Sequence, residues 1–503
     1  MTPDARTQSP APNPDASCGV PLLALFGGAA LWLVIGSVLA MIASIKFHAP
    51  VFLADCPCLT YGHVQPAADD ALLYGFCIPA ALGVMLWLFA RLSQAPLCLP
   101  FVAVAGANLW HLGVLVGLVG ILIGDSTGFA WLEFPRGGSV LLFAAFLLLA
   151  ISAAGTFGAR RERELYPSHW FLLAALLWFP WVYAAGNLFL VAWPVRGVAQ
   201  AAVDYWFANN LLFVWLGLAG LGVAFYFVPK FAGRPLRSRY LALFVFWTFI
   251  LFGAGNGIPV RAPLPAWLPA LSTVAASLTI IPVLAVVAIL WQTMRGSSSV
   301  ESSLRTEESA QRAGTAARGG PFCFIRFGLA AFVLAALMMI VMTCPHFSRV
   351  TEFTWFGPAQ TQLQLYGFFA MTLFGAIYYA LPRAVGFEWP FPKLARMHFW
   401  ISMPGLLLFV VPLAIGGVVQ GLKWANSDIA NVKVAAATLP FLRVSTTGLL
   451  LILLGNLLFA LNIFGLTFAW KLALIKKVMA AIKAPLPTGS AFALLRRDKE
   501  VGA

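Results

Sequence analysis

The chain has 503 residues, 61% of them hydrophobic and only 10% charged, with a formal net charge of +14. A soluble protein of this size could not bury so much apolar surface, so lipid must be the solvent for much of the chain. The positive charge is spread over many short connections rather than gathered on one face, which excludes nucleic-acid binding as its explanation.

Residues 1–19, "MTPDARTQSPAPNPDASCG", are a polar, Pro-rich tail without the positive-then-apolar order of a cleaved signal peptide. Twelve apolar runs follow, at 20–46, 71–93, 99–124, 137–156, 169–193, 207–229, 239–256, 266–294, 325–345, 360–382, 399–422 and 444–470. Each is long enough to cross about 30 Å of hydrocarbon. Between the eighth and ninth, "RGSSSVESSLRTEESAQRAGTAARGG" at 295–320 has the composition of a disordered linker. Residues 472–503 form a basic tail. The expected fold is an all-α polytopic protein with one twelve-helix membrane domain from 20 to 471. No internal repeat is visible, and no connection is long enough for a separate soluble domain.

The basic residues set the orientation. Of 32 Lys and Arg, 24 fall on the side holding both tails and the 295–320 linker, and 8 fall on the other side. Both termini are therefore expected in the cytoplasm.

Chemistry-bearing residues are sparse. Among six His, only His111 in "NLWHLGVLVG" lies deep in an apolar run, where a neutral imidazole can satisfy itself between helices or serve as a ligand. Carboxylates are nearly absent from the runs, which argues against an ion-coupled transporter. Asp125 and Glu133 flank one outer loop. Asn209, Asn210, Asn256, Gln360, Gln362 and Gln364 stand at outward helix ends and could line one polar pocket. Outer loops also carry "ADCPCLTYGH" with Cys56, Cys58 and His63, and "MTCPHF" with Cys344 and His346. These thiols and imidazoles suit copper or zinc, but an oxidising outer compartment favours a disulfide of Cys344 with Cys56 or Cys58.

Five segments carry a family resemblance: "LTYGHVQPAADDALLYGF" at 59–76, "GDSTGFAWLEFP" at 124–135, "YWFANNLLFVWLGLAGLGVAFYFVPKFAGRP" at 205–235, "FGAIYYALP" at 374–382, and "HFWISMPGLLLF" at 398–409 followed by "GGVVQGLKW". In order and spacing, from about residue 55 to 470, the chain resembles subunit I of the heme–copper oxidases. The likeness is to the cbb3-type (C-family) cytochrome c oxidases and their nitric oxide reductase relatives. That resemblance implies an oxidoreductase holding two hemes and one copper through six histidines.

Matching the segments places Ala68 at the first ligand of the low-spin heme and Gln362 at its second. Gln360 stands at the ligand of the high-spin heme, and Asn209, Gly257 and Ile258 at the three copper ligands. Phe332 falls where the cbb3 type has its active-site tyrosine. All six ligands are thus expected to be replaced, with no heme b or copper bound. Two residues apart on a helix means about 200° of rotation, so Gln360 and Gln362 point to opposite sides, and Gln364 shares the side of Gln360.

The expected role is a non-catalytic scaffold or accessory subunit of a respiratory or metal-handling complex in the bacterial inner membrane. Its partners would be other membrane subunits, such as a membrane-anchored c-type cytochrome or a true oxidase subunit. Two other readings stay open: an active oxidase or nitric oxide reductase with unconventional ligation through His111 or the outer Cys/His cluster, and a small-ligand or copper-binding protein reusing the vacated cavity. The orientation is directly testable. A green fluorescent protein fused after Ala503 should fluoresce, and alkaline phosphatase fused in the loop at 124–135 should be active; the reverse pattern would overturn the charge argument.

Overall fold

A computed structural model describes residues 13–295 and 320–483, and the regular structure among them is entirely helical. Eleven described helices are long and apolar enough to cross a membrane. In chain order the helices are α1 (Gly19–Lys46), α2 (Tyr61–Ser93), α3 (Pro100–Ile123), α4 (Arg136–Gly158), α5 (Pro167–Ala192), α6 (Val198–Ala232), α7 (Arg239–Gly253), α8 (Trp267–Met294), α9 (Pro321–Thr343), α10 (Phe356–Val385), α11 (Pro392–Trp424) and α12 (Asn431–Lys483).

The seventh predicted run is the one that falls short of a full span. α7 has 15 residues, about 22 Å at 1.5 Å per residue, against about 30 Å of hydrocarbon. The sequence "GAGNGIP" stops it: Gly257 takes φ +102°, and Pro259 cannot donate to a helix ladder.

Both tails are shorter than the sequence implies. Residues 14–17 form a helical turn whose Asp15 accepts from Trp87 Nε1 at 3.0 Å and Arg91 Nη1 at 3.3 Å, so the end of the N-terminal tail is stapled to α2. α12 runs on to Lys483 through residues assigned to the basic tail. The interior of the 295–320 linker lies outside the described residues.

Three helices form the inside of the bundle. The apolar windows of α2, α6 and α10 are 94%, 89% and 89% buried, whereas those of the other spans are 39–56% buried. The surrounding helices turn Leu177, Trp247, Leu251 and Phe468 outward, as expected where lipid is the solvent. Each inner helix contains a π-helical stretch, at Ala71–Cys77, Asn210–Trp215 and Leu363–Ala370. Such stretches free carbonyls from the ordinary ladder and are frequent at functional sites. Trp110 Nε1 donates to one carbonyl of the α2 stretch, Tyr74 O, at 2.8 Å.

The first residues of α1 meet the last turn of α10, since a Cβ on Gly19 would lie 2.9 Å from Ala384 O. The ends of α2 and α10 near the N-terminus are therefore together, and the first turns of α2 and α10 lie at the far end. There α11 presses its glycines onto the backbone of the 344–356 segment. A Cβ on Gly421 would sit 1.8 Å from Val350 O, and one on Gly417 2.2 Å from Phe356 N. Backbone cannot yield as a side-chain tip can, so Gly421→Val should abolish recovery of monodisperse protein, or lower its melting temperature sharply, in size-exclusion and thermal-shift measurements. Wild-type behaviour would show that this approach is loose.

Candidate functional site

Two adjacent cavities open at the far end, separated by Trp131 and Thr361, which line both. The larger is about 420 Å³ and lies between α1, α2, α10, α11 and α12. The smaller is about 290 Å³ and lies between α6, the end of α7, α9 and α10. The partition is held by an unusual backbone: Trp131 takes φ +66°, and Tyr74 Oη donates to its carbonyl at 2.5 Å. A bulky residue in that region carries strain, which the surrounding fold must sustain.

The six residues singled out by resemblance divide between these cavities. Ala68 and Gln362 line the larger; Asn209, Gly257, Ile258 and Gln360 line the smaller. Helical rotation explains the division, with Gln360 and Gln364 facing one cavity and Gln362 the other. The single polar pocket expected from sequence is thus two. Asn210 lines neither, because its amide bonds Trp178 Nε1, Trp206 O and Ala254 O.

Inside the smaller cavity, Asn209 folds against the backbone. Its Nδ2 donates to Gly253 O at 2.8 Å, and a Cβ on Gly257 would lie 2.3 Å from Asn209 Cβ. Gln360 Nε2 donates to Ala335 O on α9 at 3.3 Å. Gln364 is 3% exposed with neither amide atom hydrogen-bonded, and Asn256 Oδ1 is likewise without a partner. Two thioethers that sequence reading passed over, Met339 and Met342, complete the wall, Met339 Sδ accepting from Asn256 Nδ2 at 3.7 Å. Phe332 stays outside it, packed on Phe368 at 4.8 Å.

The larger cavity holds the main surprise. α2 begins at Tyr61, ten residues before the apolar run at 71–93, so Asp69 and Asp70 lie inside a membrane helix instead of in an outer loop. The carboxylates thought nearly absent from the spans are present, with Asp204 in α6 as another. Asp69 lines the cavity and accepts Gln65 Nε2 at 2.8 Å and Gln362 Nε2 at 3.1 Å, so Gln362 ties α10 to α2. Asp70 is fully buried against Glu133, and no donor in the described fold reaches its oxygens. Burial pushes the Glu133 carboxyl up to about 8. The signal available in sequence was the Thr60 cap position followed by a polar stretch continuous with the apolar run.

Other candidates disperse. His111 lines neither cavity and packs on α1, where a Cβ on Gly28 would lie 2.3 Å from its Nε2. All seven cysteines are free, and no group of three or more metal-ligating side chains forms among the described residues. The expected Cys56–Cys58–His63–Cys344–His346 cluster is therefore not assembled, nor is a disulfide. Cys344 Sγ donates within its own helix end, to Ile340 O at 3.8 Å, and His63 Nδ1, in the first turn of α2, bonds Pro57 O just before it at 3.2 Å.

A family profile described as cytochrome c and quinol oxidase polypeptide I matches residues 20–451. The chain belongs to that family. Among the relatives of this oxidase-family chain, a cytochrome c oxidase subunit 1 homolog of Azorhizobium caulinodans is 24% identical over 88% of this chain and 80% of its own length. A cbb3-type cytochrome c oxidase subunit CcoN1 of Stutzerimonas stutzeri is 24% identical over 78% and 82%. Cytochrome c oxidase subunit 1 of Rhodobacter capsulatus is 25% identical over 86% and 82%. In fold, a heme–copper terminal oxidase dimer solved by cryo-EM superposes with TM-score 0.64 at 14% identity, covering 89% of this chain and 84% of that one.

The glutamines of this oxidase-like subunit differ in what they hold. Gln362→Leu breaks the tie to Asp69 and should cost about 1–3 kcal/mol, whereas Gln364→Leu removes an unpartnered amide and should be neutral or stabilising. Thermal denaturation in detergent checks both; a larger loss for Gln364→Leu would mean that its amide is satisfied by water or a ligand.

Proposed function

We propose that this chain is a non-catalytic member of its family, a membrane subunit that keeps the oxidase bundle without a metal centre. One observation carries the reading: the six positions matched to heme and copper ligands gather on two neighbouring cavities and offer a methyl, four groups without lone pairs of ligand strength, and an amide tied to a carboxylate. Heme iron in proteins is held by His, Cys, Met or Tyr, and copper prefers imidazole or sulfur. The larger cavity has no His, Cys or Met in its wall. Of the two tyrosines in its wall, Tyr366 commits its hydroxyl to Asn456 at 2.7 Å and Tyr61 is an exposed residue at the first position of α2. The smaller has two thioethers and no imidazole, and Asn209 is folded onto the backbone where a copper ligand would project. None of the six matched positions supplies such a donor; the thioethers and phenols in the two walls, Met339, Met342, Tyr205 and Tyr61, stand at other positions.

The active-enzyme alternative needs a substitute ligand, and its two candidate sources, His111 and the outer cysteines, lie away from both cavities. The retained bundle serves as an interface for other membrane subunits, with a membrane-anchored c-type cytochrome or a true oxidase subunit as the partner. The proposed location is a bacterial inner membrane with both termini in the cytoplasm, a reading supported by the bacterial origin of its relatives and by the excess of Lys and Arg on one side of the bundle.

A pyridine-hemochrome assay with metal analysis on the purified chain should give heme and copper far below one per protein, and oxygen or nitric oxide consumption should be absent. A stoichiometric b-type spectrum would overturn the reading.

A further inference from the structure

We propose that the larger cavity is a binding site for a primary ammonium group carried on an apolar chain. This rests on the proposed absence of heme from the same cavity. The polar end of the cavity is made of acceptors. The Asp69 carboxylate takes an amide N–H on each oxygen, from Gln65 and Gln362, which leaves both glutamine carbonyl oxygens for a ligand. No cationic side chain pairs with Asp69; the ion pairs among the described residues are Arg91–Asp15 and Arg239–Glu164. An uncompensated carboxylate flanked by amide oxygens calls for a positively charged donor with several N–H groups, which an ammonium supplies. Asp70 and Glu133, also without a cation, stand behind it.

The rest of the wall fits the other half of such a ligand. Phe47 contacts Tyr61 at 4.9 Å and Trp355 at 4.7 Å between ring centroids, giving a contiguous aromatic surface that attracts cations. Leu413 and Leu449 from α11 and α12 complete an apolar wall. The volume of about 420 Å³ suits a small molecule. The smaller cavity lacks this chemistry, because its carboxylate, Glu352, is taken up by the backbone N–H groups of Val260 and Arg261 at 2.6 and 3.1 Å. A free alkylamine and the ethanolamine headgroup of a bilayer lipid present the same donor.

Isothermal titration of the full chain in detergent with n-hexylammonium chloride should show saturable binding, with hexanol about tenfold or more weaker because it lacks the charge-assisted bonds. Asp69→Asn keeps the side-chain shape and should weaken hexylammonium by about tenfold or more. Leu449→Trp, which fills the cavity from α12 and leaves the Asp69 carboxylate in place, should also abolish binding and decides the matter if Asp69→Asn does not fold. Equal affinity for hexanol, or wild-type binding by both variants, overturns the proposal. Native mass spectrometry after reconstitution in phosphatidylethanolamine separates the sources: lipid retained by wild type and lost in Asp69→Asn identifies the headgroup, while hexylammonium binding without retained lipid identifies a free amine. A heme-free sample that binds neither overturns this inference alone; stoichiometric b-type heme in the same sample overturns the functional reading beneath it.

Discussion

The structure depends on enclosing three helices so completely that they have almost no lipid-facing surface. α2, α6 and α10 are buried on all sides because the other spans wrap them, and inside that shell the carboxylates Asp69 and Asp70 sit within a membrane helix. Every feature of the two cavities follows from that enclosure. Polar side chains on the inner helices are kept from lipid and turn to one another or to neighbouring backbone.

How they answer differs between the cavities. In the smaller one the amides turn to backbone: Asn209 to Gly253, Gln360 to Ala335, with Gln364 left unpaired. In the larger one, two amides converge on a carboxylate, and Gln362 reaches from α10 to Asp69 on α2 across the cavity wall. An interhelical bond to a charged acceptor is stronger than one between neutral groups, so this tie fixes the spacing of two inner helices. The proposed function and the proposed ammonium site are two consequences of the same arrangement, one drawn from the donors it lacks and the other from the acceptors it gathers.

Much of this was legible in the sequence, since membrane helices announce themselves by length and hydropathy. The order of the helices, the opposed directions of Gln360 and Gln362, and the family resemblance all came from periodicity and motif spacing. Sequence reading failed where polar residues continue an apolar helix. The apolar run begins at 71 whereas α2 begins at Tyr61, so Asp69 and Asp70 fall outside the run, because hydropathy cannot distinguish a polar turn buried by neighbours from a loop in water. It also grouped the outer cysteines and histidines as one cluster, although nothing in spacing says that two loops meet.

The sequence by itself determined the solvent, the helical class and the family, because lipid imposes a length and composition on each span and a retained motif imposes an order. The tertiary structure alone decided which polar residues share a cavity. That depends on the rotation of each helix, on the extra residues of the π-helical stretches and on the close approach of α11 at Gly417 and Gly421. These are properties of packed neighbours, and no single segment contains them.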